Sequence, residues 1–178
     1  MQLKNIIKIN PDSIDANYPF EEIEYINITS VKTGFIEKTE KISLTKAPSR
    51  AKRIVKNEDT ILSTVRPNLR SFCFIKNPKK NTIVSTGFAV LRATEKIDSR
   101  FLYYAITNHE FSEYLSSRAK GAAYPAVDLE IIENAEIYFP SKLEQKKISS
   151  VLSNYDDLIE NNSKRIQILM GINQKIFE

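Results

Sequence analysis

Residues 24–29, Glu-Tyr-Ile-Asn-Ile-Thr, alternate polar and apolar side chains with the period of a half-buried strand, and the run ends near a turn at Gly34. Residues 59–65 read as a second strand, stopped by Pro67 and Asn68, and residues 71–75 as a third. Asn-Pro-Lys-Lys-Asn at 77–81 is a turn. Residues 82–86 and 88–92 are strand-like on either side of Gly87, where a bulge or a close backbone approach is expected. Between 100 and 116 the spacing changes. Phe101, Leu102, Ala105, Ile106, Phe111 and Leu115 fall on one stripe of a helix, with Tyr103, Tyr104 and Tyr114 at the edge of its buried face. Residues 117–127 read as a loop, and 131–139 as a return to strand.

At Pro140 the pattern changes character. Ser141-Lys142-Leu143-Glu144 is a capping box: the hydroxyl and the carboxylate satisfy the first free amides of a helix. Beyond it, Ile148, Leu152, Tyr155, Ile159, Asn162, Ile166, Leu169, Asn173 and Ile176 recur at alternating steps of three and four. A single helix cannot bury such a seam by itself, so it wants another helix of the same molecule or a different protein. Asn162 and Asn173 would set register and pairing on it. Ser153-Asn154-Tyr155-Asp156 offers a second cap, so one long helix or two consecutive ones both fit. The expected fold is therefore α+β: a β-rich mixed domain with packed helices over 1–140, then a helical region of coiled-coil character over 141–178.

Composition alone adds little, since 26 basic and 22 acidic residues in 178 leave a net charge of only +4. Its distribution adds more. Residues 41–80 hold eleven basic and two acidic side chains, a net of +9: Lys41, Lys46, Arg50, Lys52, Arg53, Lys56, Arg66, Arg70, Lys76, Lys79 and Lys80. Arginines interleaved with apolar strand residues give this block the look of a polyanion footprint; a solvated loop and strand face is the competing reading.

Several chemistries find no support. One Cys73 and one His109 cannot build a structural zinc site, and Cys73 reads as a small buried apolar residue. The four glycines are too dispersed for a phosphate loop. No Gly-x-Ser-x-Gly elbow accompanies His109, which reads as a surface or capping residue. Pro11-Asp12 lacks the acidic-x-Lys element of a nuclease, and Asp156 and Asp157 read as a solvated face or an interface. Lys4 and Lys8 interrupt any signal-like start, and no run approaches the roughly 20 apolar residues of a membrane span, so the expected setting is cytoplasmic, with no membrane partner.

Four segments carry a family likeness. Residues 58–69 (Glu-Asp-Thr-Ile-Leu-Ser-Thr-Val-Arg-Pro-Asn-Leu), 84–91 (Val-Ser-Thr-Gly-Phe-Ala-Val-Leu), 121–127 (Gly-Ala-Ala-Tyr-Pro-Ala-Val) and 143–148 (Leu-Glu-Gln-Lys-Lys-Ile) occur in that order. Together they closely resemble the target recognition domain and following conserved helix of type I restriction-modification specificity (S) subunits. Residues 47–51, Ala-Pro-Ser-Arg-Ala, add a further match, and the likeness covers nearly the whole chain.

The resemblance implies a subunit without an active site, whose recognition domain reads one half of a split double-stranded DNA target. It also implies long helices that space two such domains and dock methyltransferase (modification) subunits. S-adenosylmethionine chemistry would then reside on the methyltransferase, and ATP and magnesium likewise on partner subunits, including a separate restriction subunit; no cofactor is expected in this chain. With one recognition domain and one helical region instead of two of each, the chain would work alone, as a homodimer through the long helix, or within a longer chain. A helix-mediated protein-interaction module with an incidental basic surface is the alternative function.

On this reading, the DNA-contacting candidates are Lys46, Arg50, Arg53, Arg66, Arg70, Lys120 and Tyr124, and the helix-interface candidates run from Ile148 to Leu169 along the seam. Phosphate contacts would fix register while a few side chains read base edges. Pro67, Gly87, Gly121 and Pro125 would serve as turn formers. Arg66 and Tyr124 stand equally as structural or DNA-contacting, whereas Ser85 and Thr86 lean structural.

Overall fold

Three layers make up the body of the protein: three helices on a four-stranded sheet, and a second four-stranded sheet beneath the first. The computed structural model describes residues 1–177, with side chains described through Met170 and at Ile172. The first sheet has β1 (Ile7–Ile9), β8 (Phe88–Ala93), β5 (Thr60–Ser63) and β6 (Phe72–Phe74) side by side, all antiparallel. The second has β3 (Glu40–Ser43), β2 (Glu22–Ile26), β7 (Thr82–Ser85) and β4 (Ala51–Ile54), with β2 and β7 parallel.

The period-two alternation sorts side chains between layers. On β8, Ala89 and Leu91 face the helices while Phe88 and Val90 face the second sheet, and all four are fully buried. On β7, Val84 points into the space between the sheets, and Ile83 into an outer cluster with Ile23, Tyr25 and Ala51. A strand covered on both faces has no polar alternation, which is why residues 88–91 form a continuous apolar run. Gly87 lies in the short turn that carries the chain from one sheet to the other, and a Cβ there would come within 2.7 Å of the Ile28 side chain. The close approach expected of it is present.

Three expectations are corrected. The strand expected at 24–29 runs from Glu22 to Ile26 instead, because the Asn27 side chain accepts from the amides of Thr29 and Ser30, at 2.8 and 3.2 Å, and caps a 3-10 turn over Ile28–Ser30. Residues 100–116 form two helices, α1 (Ser99–Thr107) and α2 (His109–Ser116), because the Asn108 side chain accepts a hydrogen bond from the amide of Phe111 at 2.8 Å and restarts the helix. Residues 131–139 are not one strand: α3 (Leu129–Asn134) comes first, burying Ile132 with Leu129 and Ile131 packed alongside. Only then does the chain extend, with Ala135 and Ile137 buried between exposed Glu136 and Tyr138, beside Met1–Leu3. The alternation was real there but covered half the segment. Strands β1, β3 and β4 carry no sequence signal strong enough to have been anticipated.

The long helix α4 (Lys142–Phe177) is one uninterrupted element, so Ser153–Asp156 does not recap it. Its start is the capping box: the Ser141 amide donates to Glu144 Oε2 at 2.9 Å, and the Glu144 amide donates to Ser141 Oγ at 3.4 Å. The side of α4 that meets the body is polar and small, with Gln145, Ser149 and Ser153 buried one turn apart. The apolar seam points away from the body: Leu152 is 38%, Ile159 64% and Leu169 65% exposed, and Ile148, Tyr155, Asn162 and Ile166 are exposed as well. Asn173 and Ile176 lie outside the described side chains. No helix among the described residues is long and apolar enough to cross a membrane.

Candidate nucleic-acid interface

Backbone hydrogen bonds stitch the quoted motifs into one continuous ridge. The Thr86 amide donates to Arg50 O at 2.8 Å; the amide and hydroxyl of Thr64 both donate to Gly87 O, at 2.9 and 3.0 Å. The Val127 amide then donates to Thr64 O at 2.8 Å, and the Arg66 amide to Pro125 O at 2.7 Å. Lys120 and Ala126 close the neighbouring loop with a reciprocal pair at 2.8 and 2.9 Å. The 47–51, 58–69, 84–91 and 121–127 segments are therefore adjacent in space, and Arg50, Thr86, Arg66, Tyr124 and Lys120 share the ridge.

Local conformation explains how this ridge is built. Arg66 and Arg70, flanking the 3-10 turn Pro67–Leu69, both adopt left-handed backbone (φ 47° and 53°), a conformation costing about 1 kcal/mol or more for a residue with a Cβ. Gly121 has φ +99°, and a Cβ on it would sit 3.1 Å from Tyr124 O. The bend at Gly121 lets the loop turn back so that the Arg66 guanidinium lies 5.0 Å above the Tyr124 ring. Tyr124 is 53% exposed.

The seven DNA-contacting candidates do not share one environment. Lys46 and Arg50 are exposed and make no ion pair among the described residues; neither does neighbouring exposed Lys52. Lys120 is exposed beside Asp128 at 2.9 Å. Arg53 is half-buried, donates to Thr86 O at 3.4 Å, and burial pulls its guanidinium below the ordinary value. Arg70 is turned inward. It donates to Thr107 O, the last carbonyl of α1, at 2.9 Å and lies 5.7 Å above the Phe72 ring. The geometry thus brings Arg50, Arg66, Lys120 and Tyr124 together, with Arg53 at their margin and Arg70 behind them.

Four of the eleven basic residues in 41–80 are neutralised internally. Lys41 pairs with Glu22 at 2.8 Å, Lys56 with Asp12 at 2.9 Å, Lys79 with Glu24 at 2.6 Å, and Lys76 with Asp157 and Glu160 at 3.2 Å each. The block is concentrated in sequence but is not a single charged face.

Sequence reasoning missed a buried ion network. Asp59 is fully buried; Arg92 grips it with two parallel bonds, Nε to Oδ1 at 2.8 Å and Nη2 to Oδ2 at 2.7 Å, and also donates to Asp12 at 2.6 Å. Lys56 and Arg92 hold the Asp12 carboxyl below its usual range. These partners stand 33 and 80 residues apart, so no local spacing announces them. Cys73 is buried, its thiol pushed up to about 12, which leaves it no nucleophilic character. His109 is exposed beside Glu113. No cluster of three or more metal-ligating side chains occurs among the described residues.

Comparison with known proteins bears on the same segments. The family described as type I restriction modification DNA specificity domain matches residues 1–170. The chain is 34% identical over 164 residues to the type I restriction enzyme MjaIX specificity subunit of Methanocaldococcus jannaschii, covering 92% of this chain and 34% of that protein. It is 28% identical over 167 residues to the HindI specificity subunit of Haemophilus influenzae, covering 89% of this chain and 36% of that one. The chain spans about a third of the length of these curated relatives. Among solved structures, the HsdS subunit of Thermoanaerobacter tengcongensis superposes with TM-score 0.76 at 25% identity, over 90% of this chain and 42% of that one. The S subunit of M. genitalium shares the fold, with TM-score 0.64 at 19% identity over 94% of this chain and 41% of that one.

Proposed function

Given that the chain belongs to the type I restriction modification DNA specificity domain family, we propose that it reads one half of a bipartite double-stranded DNA target and performs no catalysis itself. The observation that carries this reading is the ridge on which Arg50, Thr86, Arg66, Tyr124 and Lys120 converge from four separate segments. Lys46, Arg50 and Lys52 are exposed cations without carboxylate partners among the described residues, suited to phosphate oxygens. Arg66, exposed and held over Tyr124 with Nη2 3.5 Å from Ala123 O, keeps further donors with which to meet a guanine edge. The outward seam of α4, from Ile148 to Leu169, is the surface for methyltransferase subunits and for a second recognition domain, supplied by another copy or by a longer chain. S-adenosylmethionine, ATP and magnesium belong to those partners, as does the restriction subunit's chemistry.

The exposed seam also favours the second reading, a helix-mediated interaction module. Salt separates the two. If Lys46, Arg50 and Lys52 each neutralise one phosphate, log affinity for duplex DNA falls against log salt with a slope of about −3, roughly 40-fold between 50 and 200 mM. A packing-driven helix pair varies far less. Titrating labelled duplex with the purified chain over that range tests the proposal, and a slope near zero overturns it.

A further inference from the structure

The way α4 is attached to the body differs from the way the rest of the protein is held together. Its buried positions among the described residues are Gln145, Ser149 and Ser153, which contribute little apolar area, while the large apolar side chains described after Leu143 are exposed, least so Ile148 at 36% and Leu152 at 38%. What secures it is a chain of polar contacts. Gln145 is 1% exposed with both ends of its amide used: Nε2 donates to Pro140 O at 2.9 Å and Oε1 accepts from the Asp98 amide at 2.9 Å. Asp98 is the N-cap of α1, so this glutamine pins the base of α4 to the start of α1. Two turns or more further on, the Tyr104 hydroxyl donates to Asp156 Oδ2 at 2.7 Å, and Lys76 bridges Asp157 and Glu160 at 3.2 Å each. Beyond Glu160 the described side chains are exposed and make no hydrogen bond to the body.

Among the described residues, the hydrogen bonds between α4 side chains and the body thus fall at two places, a base where Gln145 is buried and Lys142 donates to Glu95 O, and a latch at Asp156–Glu160. We propose that Lys76 and Tyr104 are positioning residues: they fix the angle at which α4 leaves the recognition domain, and so the spacing at which that domain meets its half of the DNA. The part concerning spacing rests on the DNA-reading proposal above; the part concerning the angle does not.

The geometry makes the latch a sensitive one. From Gln145 to Glu160 is about 22 Å and from Gln145 to Phe177 about 48 Å at 1.5 Å per residue. One base-pair step is about 3.4 Å, so a tilt of about 4° at Gln145 displaces the far end by a full step. The same tilt lifts Glu160 by about 1.6 Å, about the displacement that breaks a hydrogen bond. With no fully buried apolar side chain on α4 among the described residues, the tilt is opposed in large part by Tyr104 and Lys76. Burial and the Asp156 carboxylate keep the Tyr104 phenol protonated, so it stays a donor.

Spin labels on Glu110→Cys in α2 and Gln167→Cys in α4 read the angle directly, since buried Cys73 does not compete for label. The otherwise unaltered protein should give one narrow distance distribution. Tyr104→Phe with Lys76→Gln should broaden it or move its centre by about 3 Å or more, and Lys76→Arg with Tyr104 intact should restore it. An unchanged distribution in the double variant, or an already broad one in the parent, overturns the latch. Duplex-DNA affinity should be the same in parent and double variant, because neither residue lies on the ridge. Cells carrying the double variant should show methylation at targets whose spacer differs by a base pair; retention of a single spacer length overturns the spacing role. If the parent binds no DNA, the recognition reading fails while the distance measurement still decides the latch.

Discussion

Replacing Arg92 with leucine should destabilise the protein severely without touching the DNA ridge. Arg92 makes two bonds to Asp59, which is fully buried, and one to Asp12. Without the guanidinium, the Asp59 carboxylate keeps only the Lys56 amide, at 2.8 Å. Stranding one member of a buried pair costs about 3–5 kcal/mol, and the 22% side-chain exposure of Arg92 admits some water, which puts the expected loss near 3 kcal/mol. At about 2–4 °C per kcal/mol for a chain of this size, Tm should fall by about 9 °C. Because the chain contains no tryptophan, urea unfolding is best followed by circular dichroism, with the midpoint and slope fitted together. Asp59→Asn in the Arg92→Leu background should recover about 1 kcal/mol or more by removing the orphaned charge. A loss under about 1 kcal/mol for Arg92→Leu, or strict additivity in the double variant, would refute the claim that this pair is an interdependent buried unit.

Changing Lys46, Arg50 and Lys52 to glutamine should weaken binding to all duplexes alike and flatten the salt slope by about 3, at 0.9 per phosphate; a slope unchanged from the parent assigns them to solvated surface. Gly121→Ala, forced to φ +99°, should cost about 1–3 kcal/mol in urea unfolding and loosen the Arg66–Tyr124 stack, with a several-fold loss of DNA affinity. Ile159→Asp with Ile166→Asp, both on the exposed seam, should leave Tm within about 1–2 °C of the parent yet abolish self-association and methyltransferase binding in sedimentation. Retained association would remove the seam as the docking surface.

What the sequence made legible follows from physical range. Strands β5 to β8 were readable because each is a short apolar or β-branched run bounded by a proline, a glycine or a turn, as buried strands are, and the capping box at Ser141 because its two bonds span only three residues. Strands β1, β3 and β4 were not, since they lie at sheet edges with charged and half-exposed residues among their few apolar ones, and pairing with β8, β2 and β7 is what defines them. At residues 131–139 an apolar run too short to separate helix from strand hid α3. The candidate interface was half visible. Composition singled out the basic block, and the family motifs singled out Arg66 and Tyr124, with Lys120 beside them, but only the fold reveals that Lys41, Lys56, Lys76 and Lys79 are spent on carboxylates and that Arg70 faces α1. Charge counts along a chain do not record pairing across 50 or 80 residues.

The most direct test of DNA reading is a map of methylated bases in host cells with the gene, without it, and with the gene carrying Arg66→Ala and Tyr124→Ala. The account predicts that one interrupted sequence motif loses methylation when the gene is removed, and that the ridge variant loses it too or changes which bases are accepted in one half of the motif. Methylation identical in all three strains would contradict it.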